Sequence, residues 1–159
     1  MTMHYVRIKY KGYILWLDKA DEAMFRQHKW YPNQKGYLRR NNWVGGKNKN
    51  IMLHRSIAGA TTKDEHVDHI NHNIHDNRGC NLRLCTPQEN SRHCKKKKPS
   101  SGGFKGVYKV RSGRFQAMIR VDDKLSTLGT FDTAQEAAQK YNEAAKLHFG
   151  EFASLNQVP

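Results

Sequence analysis

The sequence lacks a long hydrophobic run, and this excludes a protein that spans a membrane by helices. The longest apolar stretch covers residues 13–17, whereas a helix that crosses a bilayer needs about 20 apolar residues. Charged side chains at Arg7, Lys9 and Lys11 interrupt the amino-terminal segment. We therefore expect no secretory signal peptide.

Cysteine is also scarce. Cys80, Cys85 and Cys94 are the three cysteines among 159 residues, and an odd number without regular spacing predicts free thiols in a reducing compartment. A disulfide-stapled secreted domain is excluded on this ground. Because the cysteines lack the paired C-x2-C spacing of zinc sites, we expect no structural zinc.

Acidic residues are few compared with basic ones. The sequence has 14 Asp and Glu against 28 Lys and Arg, a net charge of +14, which predicts a polyanionic partner such as nucleic acid. Residues 92–120 contain ten Lys or Arg and no Asp or Glu. The aromatic and glycine content of this stretch is not typical of an amphipathic membrane helix, so we expect no membrane partner.

Residues 95–103 form the clearest break in the pattern. Four consecutive lysines are followed by Pro99 and then by serines and glycines. Like charges repel, proline ends helices, and serine and glycine favour flexible coil. We interpret the segment as a linker between modules at residues 1–94 and 104–159, rather than a surface loop in one domain.

Upstream of the break, apolar alternation predicts two strands at residues 4–11 and 13–17, turned at Gly12. Asp18 is a candidate N-cap for a helix that continues to about His28. A further strand is predicted at residues 37–43, followed by a turn at Gly45 and Gly46, and a short helix within residues 51–58.

Downstream of the break, residues 114–121 alternate between apolar and polar, which predicts a strand with one buried face. A return strand at residues 125–131 follows. Thr133 and Glu136 have the spacing of a capping box, and Gly150 stands where a helix C-cap belongs. The expected module has three antiparallel strands packed on one helix.

Histidines recur at every third position, at 66, 69, 72 and 75. The intervening Asn and Asp residues favour turns over a helix, so we expect a strand at residues 67–70, a long loop, and a return strand at residues 81–85. A capping box over residues 86–89, with Pro87 at the first helical position, then predicts a helix that contains Asn90.

These residues resemble a known family. The segments VDH at 67–69, DNR at 76–78, NLR at 81–83 and EN at 89–90, preceded by LHR at 53–55, resemble the HNH endonucleases of the homing type, which have a ββα-metal fold. The resemblance implies that His69 is the general base and that Asp68 and Asn90 are metal ligands. It also implies that Asn81, counted with His69 in the catalytic set, braces the hairpin through its amide.

This residue set suits phosphodiester hydrolysis. A neutral imidazole can take a proton from water, and a divalent cation stabilises negative charge on phosphate oxygens. Two hard oxygen ligands leave coordination positions for phosphate and water, as Mg²⁺ prefers, with Mn²⁺ as the alternative. Adjacent side chains on a strand point to opposite faces, so Asp68 and His69 share a site only if the strand ends or twists there.

Residues 104–156 resemble a second family, the APETALA/ethylene-response-factor DNA-binding domain, in which a three-stranded sheet lies in the major groove. The resemblance places Lys105, Arg114 and Arg120 at contact positions. Tyr108, Val110 and Leu125 stand where the plant members carry arginines, and Ser112 and Thr127 replace tryptophans, so base readout is expected to differ. Further phosphate contacts are expected from other basic residues: Arg55, Arg83, Lys95, Lys96, Lys97, Lys98, Lys109 and Arg111.

The sequence thus predicts an α+β protein, with a small ββα-metal nuclease module and a sheet module packed on one helix. We expect a monomeric, metal-dependent endonuclease of double-stranded DNA that nicks one strand and leaves 5′-phosphate and 3′-hydroxyl ends. By resemblance it is a phage or mobile-element protein of the host cytoplasm or nucleoid. The alternatives are a DNA-binding regulator with an inert HNH scaffold and an RNA-directed or structure-selective nuclease.

Overall fold

The chain divides into two compact units, Met1–Pro87 and Gln88–Pro159. The structure is a computed structural model that describes residues 4–94 and 100–159. The first unit combines small antiparallel sheets with short helices, and the second packs an antiparallel sheet on a 16-residue helix, which confirms the expected α+β class. Four predicted phosphate contacts lie outside the described residues: Lys95, Lys96, Lys97 and Lys98.

The first unit begins with the hairpin predicted from the apolar alternation. Strand β1 is Tyr5–Tyr10 and strand β2 is Tyr13–Asp18, and they pair antiparallel with Tyr10 opposite Tyr13. The turn between them needs Gly12, which has a φ of +86°. Leu15 and Leu17 on β2 are fully buried and pack the hairpin against the apolar core.

The helix predicted from Asp18 to about His28 is shorter than expected. A 3-10 turn covers Lys19–Asp21, and helix α1 is confined to Glu22–Arg26. Asp18 makes no side-chain cap hydrogen bond to the turn, because its Oδ2 accepts a hydrogen bond from Gly79 N at 2.7 Å. The Asp18 carboxylate therefore binds a backbone N–H that is distant in the sequence instead of one in the helical turn that follows it.

A second sheet has the strand order β3-β4-β5. Its strands are Tyr31–Pro32, Leu38–Val44 and Lys47–Met52, with the predicted turn at Gly45 and Gly46. The predicted helix within residues 51–58 covers only Leu53–Ile57 (α2), since residues 51 and 52 complete β5. Large side chains from these elements form one apolar core: Leu15, Leu17, Phe25, Trp30, Leu38 and Leu53.

The predicted strand–loop–strand–helix segment is present. Strand β6 is His66–His69 and strand β7 is Leu82–Cys85, paired antiparallel with Asp68 opposite Arg83. Helix α3 is Pro87–His93 and begins at the predicted proline. The division between the units falls after Pro87, so the rest of α3 is grouped with the second unit, earlier than the boundary predicted after Cys94.

The second unit has the predicted three-stranded sheet and long helix. Strands β8 (Val107–Lys109), β9 (Phe115–Val121) and β10 (Lys124–Phe131) have the order β10-β9-β8. Helix α4 is Ala134–Phe149, with both hydrogen bonds of the capping box at Thr133 and Glu136 and with Gly150 as its C-cap. None of the helices in the described ranges is long and apolar enough to cross a bilayer.

Helix α3 is fastened within the second unit. The Lys105 Nζ donates hydrogen bonds to the carbonyl oxygens of Arg92 at 2.7 Å and Cys94 at 3.2 Å, which places a cation at the helix C-terminus. The Arg92 guanidinium pairs with Asp122 at 3.0 Å and lies 4.8 Å from the Phe149 ring centroid.

The described end of the predicted linker, residues 100–103, is folded against β8. Ser101 Oγ accepts a hydrogen bond from Lys109 N at 3.0 Å, and Gly103 N donates to Ser100 O at 2.8 Å. This part of the chain is a hydrogen-bonded turn rather than flexible coil.

Candidate active site

The hairpin of β6 and β7 buries two adjacent polar residues of the predicted site. Asp68 is 7% exposed and His69 is 5% exposed. Strand β6 ends at His69, which is the condition under which neighbouring side chains escape the strict alternation of a strand. Both side chains are buried at this end of the strand.

The His69 imidazole lies against two other rings. Its ring centroid is 5.3 Å from that of His54 and 6.0 Å from that of Tyr37. Burial in this cluster lowers the pKa of His69 from its usual value, against the opposing effects of Asn77, Asp68 and Asp76. A neutral imidazole is therefore the favoured form at physiological pH, as a general base requires.

The neighbouring His54 is held neutral still more strongly. Burial, followed by the charges of His69 and Arg55, lowers the pKa of His54 to about 3. Two neutral imidazoles therefore pack together at the end of β6 without charge repulsion. His54 entered the sequence analysis only as part of a motif, and Tyr37 did not enter it as a site residue, because neither residue is close to His69 in the sequence.

The Asp68 carboxylate is paired with a basic residue across the hairpin. Arg83 Nε and Nη2 donate to Asp68 Oδ2 at 2.9 and 2.7 Å, and the two side chains are 11% and 9% exposed. The Arg83 guanidinium therefore compensates the buried charge of Asp68, and its contact with phosphate stays a prediction.

Asn81 braces the loop between β6 and β7 through its amide, as the resemblance implied. Its Nδ2 donates to Asp76 O at 2.7 Å, and its Oδ1 accepts from Asn71 N at 2.9 Å. Asn81 is 6% exposed, and its amide satisfies one backbone group near the start of the loop and one in its middle.

An ion pair inside the same loop supports it. Asp76 accepts hydrogen bonds from Arg78 Nε at 2.8 Å and Nη2 at 2.7 Å, and from Asn71 Nδ2 at 2.8 Å. Hydrogen bonding to Arg78 holds the pKa of Asp76 below its usual value, although burial alone would raise it. The loop is therefore fixed by charge-assisted hydrogen bonds rather than by apolar packing.

The two predicted metal ligands are a carboxylate and a carboxamide. Asn90 is partly buried on helix α3. Both side chains offer hard oxygen donors, which fit Mg²⁺ or Mn²⁺ better than a soft metal. Across residues 4–94 and 100–159, no group of three or more His, Cys, Asp or Glu is placed to hold a metal ion.

The remaining residues that were predicted to bind DNA have different partners within the protein. Arg55 donates to the carbonyl oxygens of Glu65 and Thr62, which ties the loop after α2 to that helix, and Lys105 is occupied at the end of α3. Each of these two side chains is partly buried and already binds carbonyl oxygens of the chain. The resemblance places Lys105 at a contact position and Arg55 is expected as a further phosphate contact, and both assignments stay predictions.

Four basic residues on the second unit are exposed. Lys109 and Arg111 lie at and beyond the end of β8. Arg114 pairs with Asp132 at 2.8 Å, and Arg120 Nη1 donates to Asp123 O at 3.0 Å. Exposed pairs of this kind exchange partners at little cost, so these residues keep their predicted role as candidate phosphate contacts.

Comparisons with known proteins cover the segment that contains these residues. A family profile described as HNH endonuclease matches residues 54–92, a range that contains Asp68, His69, Asn81 and Asn90. A protein of Acanthamoeba polyphaga mimivirus, named as an uncharacterized HNH endonuclease, is 35% identical over 153 aligned positions, and the match covers 93% of this chain and 77% of that protein.

Two further matches are partial. Dehydration-responsive element-binding protein 2A of Arabidopsis thaliana is 49% identical over 55 residues, which are 33% of this chain but only 16% of that protein. A solved structure titled for DNA binding and cleavage by the HNH homing endonuclease I-HmuI is 31% identical, with a TM-score of 0.35 over 40% of this chain and 39% of that chain.

Proposed function

The chain belongs to the HNH endonuclease family, and from this premise we propose that it is a metal-dependent enzyme that hydrolyses phosphodiester bonds of double-stranded DNA. The observation that carries the proposal is the buried hairpin end, where Asp68 lies next to His69 and burial lowers the pKa of the His69 imidazole. A neutral imidazole beside a carboxylate is the pair that water activation at a phosphate requires.

His69 acts as the general base in this proposal. Its neutral ring takes a proton from the water that attacks phosphorus, so that the attacking oxygen develops negative charge as it approaches. Asn81 contributes indirectly, since its amide fixes the loop that follows His69. A base that is already oriented avoids the cost of reorganisation during the reaction.

Asp68 and Asn90 would hold the divalent cation. When bound, Mg²⁺ or Mn²⁺ supplies positive charge to the phosphate and to the leaving oxygen. The Arg83 guanidinium, which binds Asp68 in this structure, is a group that would also bind a phosphate through two parallel hydrogen bonds. One active site in each chain predicts a nick in one strand, with 5′-phosphate and 3′-hydroxyl ends.

The second unit supplies DNA binding in this proposal. Its resemblance to the ethylene-response-factor domain is supported by the three-stranded sheet packed on α4. The exposed Lys109, Arg111, Arg114 and Arg120 provide candidate phosphate contacts. The relative from Arabidopsis is named for binding a dehydration-responsive element. Linking a binding unit to a catalytic unit raises the local concentration of the catalyst at the bound site.

Nicking of supercoiled plasmid in the presence of Mg²⁺ tests the proposal. We expect His69→Ala to lower the nicking rate by about 10²- to 10⁴-fold, the usual contribution of a general base. His148→Ala is the matched control, because His148 is exposed on α4, and it should nick at the rate of the wild type. No nicking by the wild type, or equal nicking by His69→Ala, would contradict the assignment.

The second candidate function is a DNA-binding regulator whose HNH scaffold is inert. The specific observation in its favour is the buried Arg83–Asp68 pair, which already neutralises the carboxylate that a cation would need. The same plasmid separates the two candidates: retarded migration of the plasmid without nicking, at any Mg²⁺ or Mn²⁺ concentration, would support the regulator.

A further inference from the structure

The loop that joins β6 to β7 forms backbone hydrogen bonds with the amino-terminal hairpin close to the candidate base. Trp16 N donates to His75 O at 3.0 Å, and Asn77 N donates to Trp16 O at 2.8 Å. These bonds make a short parallel bridge between Trp16 and Asp76. Strand β2 therefore fixes the backbone of Asn77, whose side chain is 2% exposed.

The chain is also held immediately after Asn77. The Arg78 guanidinium lies 5.2 Å from the Tyr5 ring centroid and 5.5 Å from that of Trp16. Gly79 N donates to Asp18 Oδ2 at 2.7 Å. Three successive loop residues are thus bound to β1 and β2, which gives the amino-terminal hairpin a structural role in the site.

The Asn77 side chain reaches the His69 ring. Its Oδ1 lies 3.4 Å from His69 Nε2, a separation at the long end for a hydrogen bond, and catalytic hydrogen bonds of substrate-free enzymes are often long. An amide oxygen only accepts hydrogen bonds, so this contact favours the ring form with its proton on Nε2. The lone pair of a neutral ring is then on Nδ1.

We propose that Asn77 is a positioning residue that fixes the Nε2–H form of His69, and that the β1–β2 hairpin holds Asn77 in place for this task. The proposal rests on the proposed function of His69 as the base and names the nitrogen that accepts the proton, Nδ1. It also assigns a role to the amino-terminal hairpin: through the backbone of Trp16 it determines the orientation of a side chain at the site.

The first test reads the ring form directly, by ¹⁵N NMR of the full chain labelled in histidine. We expect His69 of the wild type to be protonated on Nε2, and Asn77→Leu to give a mixture of both neutral forms. Asn77→Asp should restore the wild-type form, because its carboxylate also accepts from Nε2. A ring form that Asn77→Leu leaves unchanged, or a proton found on Nδ1 in the wild type, would overturn the proposal.

The second test uses single-turnover nicking with DNA concentration varied. Asn77→Leu should lower the maximal rate by about 10²-fold while the DNA concentration at half-saturation changes by less than about threefold. Asn77→Asp should recover at least a tenth of the wild-type rate. Equal losses in both variants, accompanied by lower unfolding temperatures, would indicate a merely structural role and overturn the proposal.

Failure of the Asn77 proposal can be distinguished from failure of the proposed function. A wild-type protein that does not nick contradicts the proposed function, whereas the NMR result stands or falls without any cleavage. Should Asn77→Leu not fold, Asn77→Ser replaces it, because a serine hydroxyl is too short to reach the ring, and the same two outcomes apply.

Discussion

The two units of this protein fill their interiors with different side chains. The first unit buries polar and ionisable residues beside its apolar core, namely Asp68, His69, Asp76, Asn77 and Asn81. The second unit packs small side chains between its sheet and α4, namely Ala117, Ala137, Ala138 and Ala145, and carries Arg114 and Asp132 at its surface. Buried polar groups require partners, so the first unit depends on particular pairs, whereas the second depends on close packing.

The largest effect that tests this contrast is expected at Asp76. Its side chain is 4% exposed and bound by Arg78, so Asp76→Ala leaves a guanidinium without its carboxylate in the loop. Breaking a buried ion pair from one side costs about 3–5 kcal/mol, and because the Arg78 side chain that loses its partner is 28% exposed, we expect about 3 kcal/mol. The free energy of unfolding of the first unit should fall by this amount, and urea denaturation followed by tryptophan fluorescence measures it, because all three tryptophans lie within residues 16–43.

Asp132→Ala is the matched change in the second unit. Asp132 pairs with Arg114, but the two side chains are 81% and 50% exposed, and pairs of this kind contribute about 0–1 kcal/mol. Urea denaturation of the second unit is followed by the circular dichroism of α4. Similar losses for Asp76→Ala and Asp132→Ala would show that the contrast between the units is incorrect.

The second prediction concerns the close packing of the second unit. Gly106 has a φ of +75°, and an added Cβ would overlap the Tyr141 ring and lie 2.7 Å from Met118 O. Gly113 has a φ of +84° with open space around it, so Gly113→Ala carries backbone strain alone. Gly106→Ala should therefore lower the free energy of unfolding by about 1–3 kcal/mol more than Gly113→Ala, the usual cost of overpacking.

Urea denaturation of both variants, followed by the circular dichroism of α4, measures this difference. Equal losses would mean that the sheet yields to the extra methyl group at Gly106 and that packing in the second unit is looser than its small side chains indicate.

The contrast also explains which parts of the fold the sequence predicts. In the second unit the alternation around Ala117 and Ile119, the capping box at Thr133 and the small residues of α4 are local signals, and each corresponds to the element observed. Packing of small side chains at regular spacing leaves a periodic pattern in the sequence. For this reason three strands and one helix were predicted in the correct order.

Polar contacts in the first unit leave no such pattern. Asp18 was predicted as a local helix cap, but its carboxylate binds Gly79, which is 61 residues away. Tyr37, His54 and Asn77 surround His69 from three other segments of the chain. The motif identified His69 and Asp68 because their neighbours in sequence are characteristic, whereas the residues that orient them are determined by tertiary contacts.

The effect that is smallest at neutral pH, where it vanishes, is the acid sensitivity that His54 gives the first unit. The pKa of His54 is about 3 in the folded protein against an ordinary 6.5, so the unfolded chain binds more protons at every pH between these values. The free energy of unfolding therefore falls as the pH drops below about 6.5, by about 1.4 kcal/mol for each pH unit. Above that pH His54 makes no contribution to the pH dependence of the free energy of unfolding. His54→Phe keeps a ring against Tyr37 and His69 but cannot take up the proton.

We expect the tryptophan-detected stability of His54→Phe to depend less steeply on pH, by about 1.4 kcal/mol per unit between about pH 4 and pH 6. Part of the dependence should remain, because burial also lowers the pKa of His69. His148→Phe, at an exposed position of α4, should keep the slope of the wild type. An unchanged slope in His54→Phe would mean that His54 is protonated in the folded protein, and the cluster at the end of β6 would then hold a positive charge beside the proposed base.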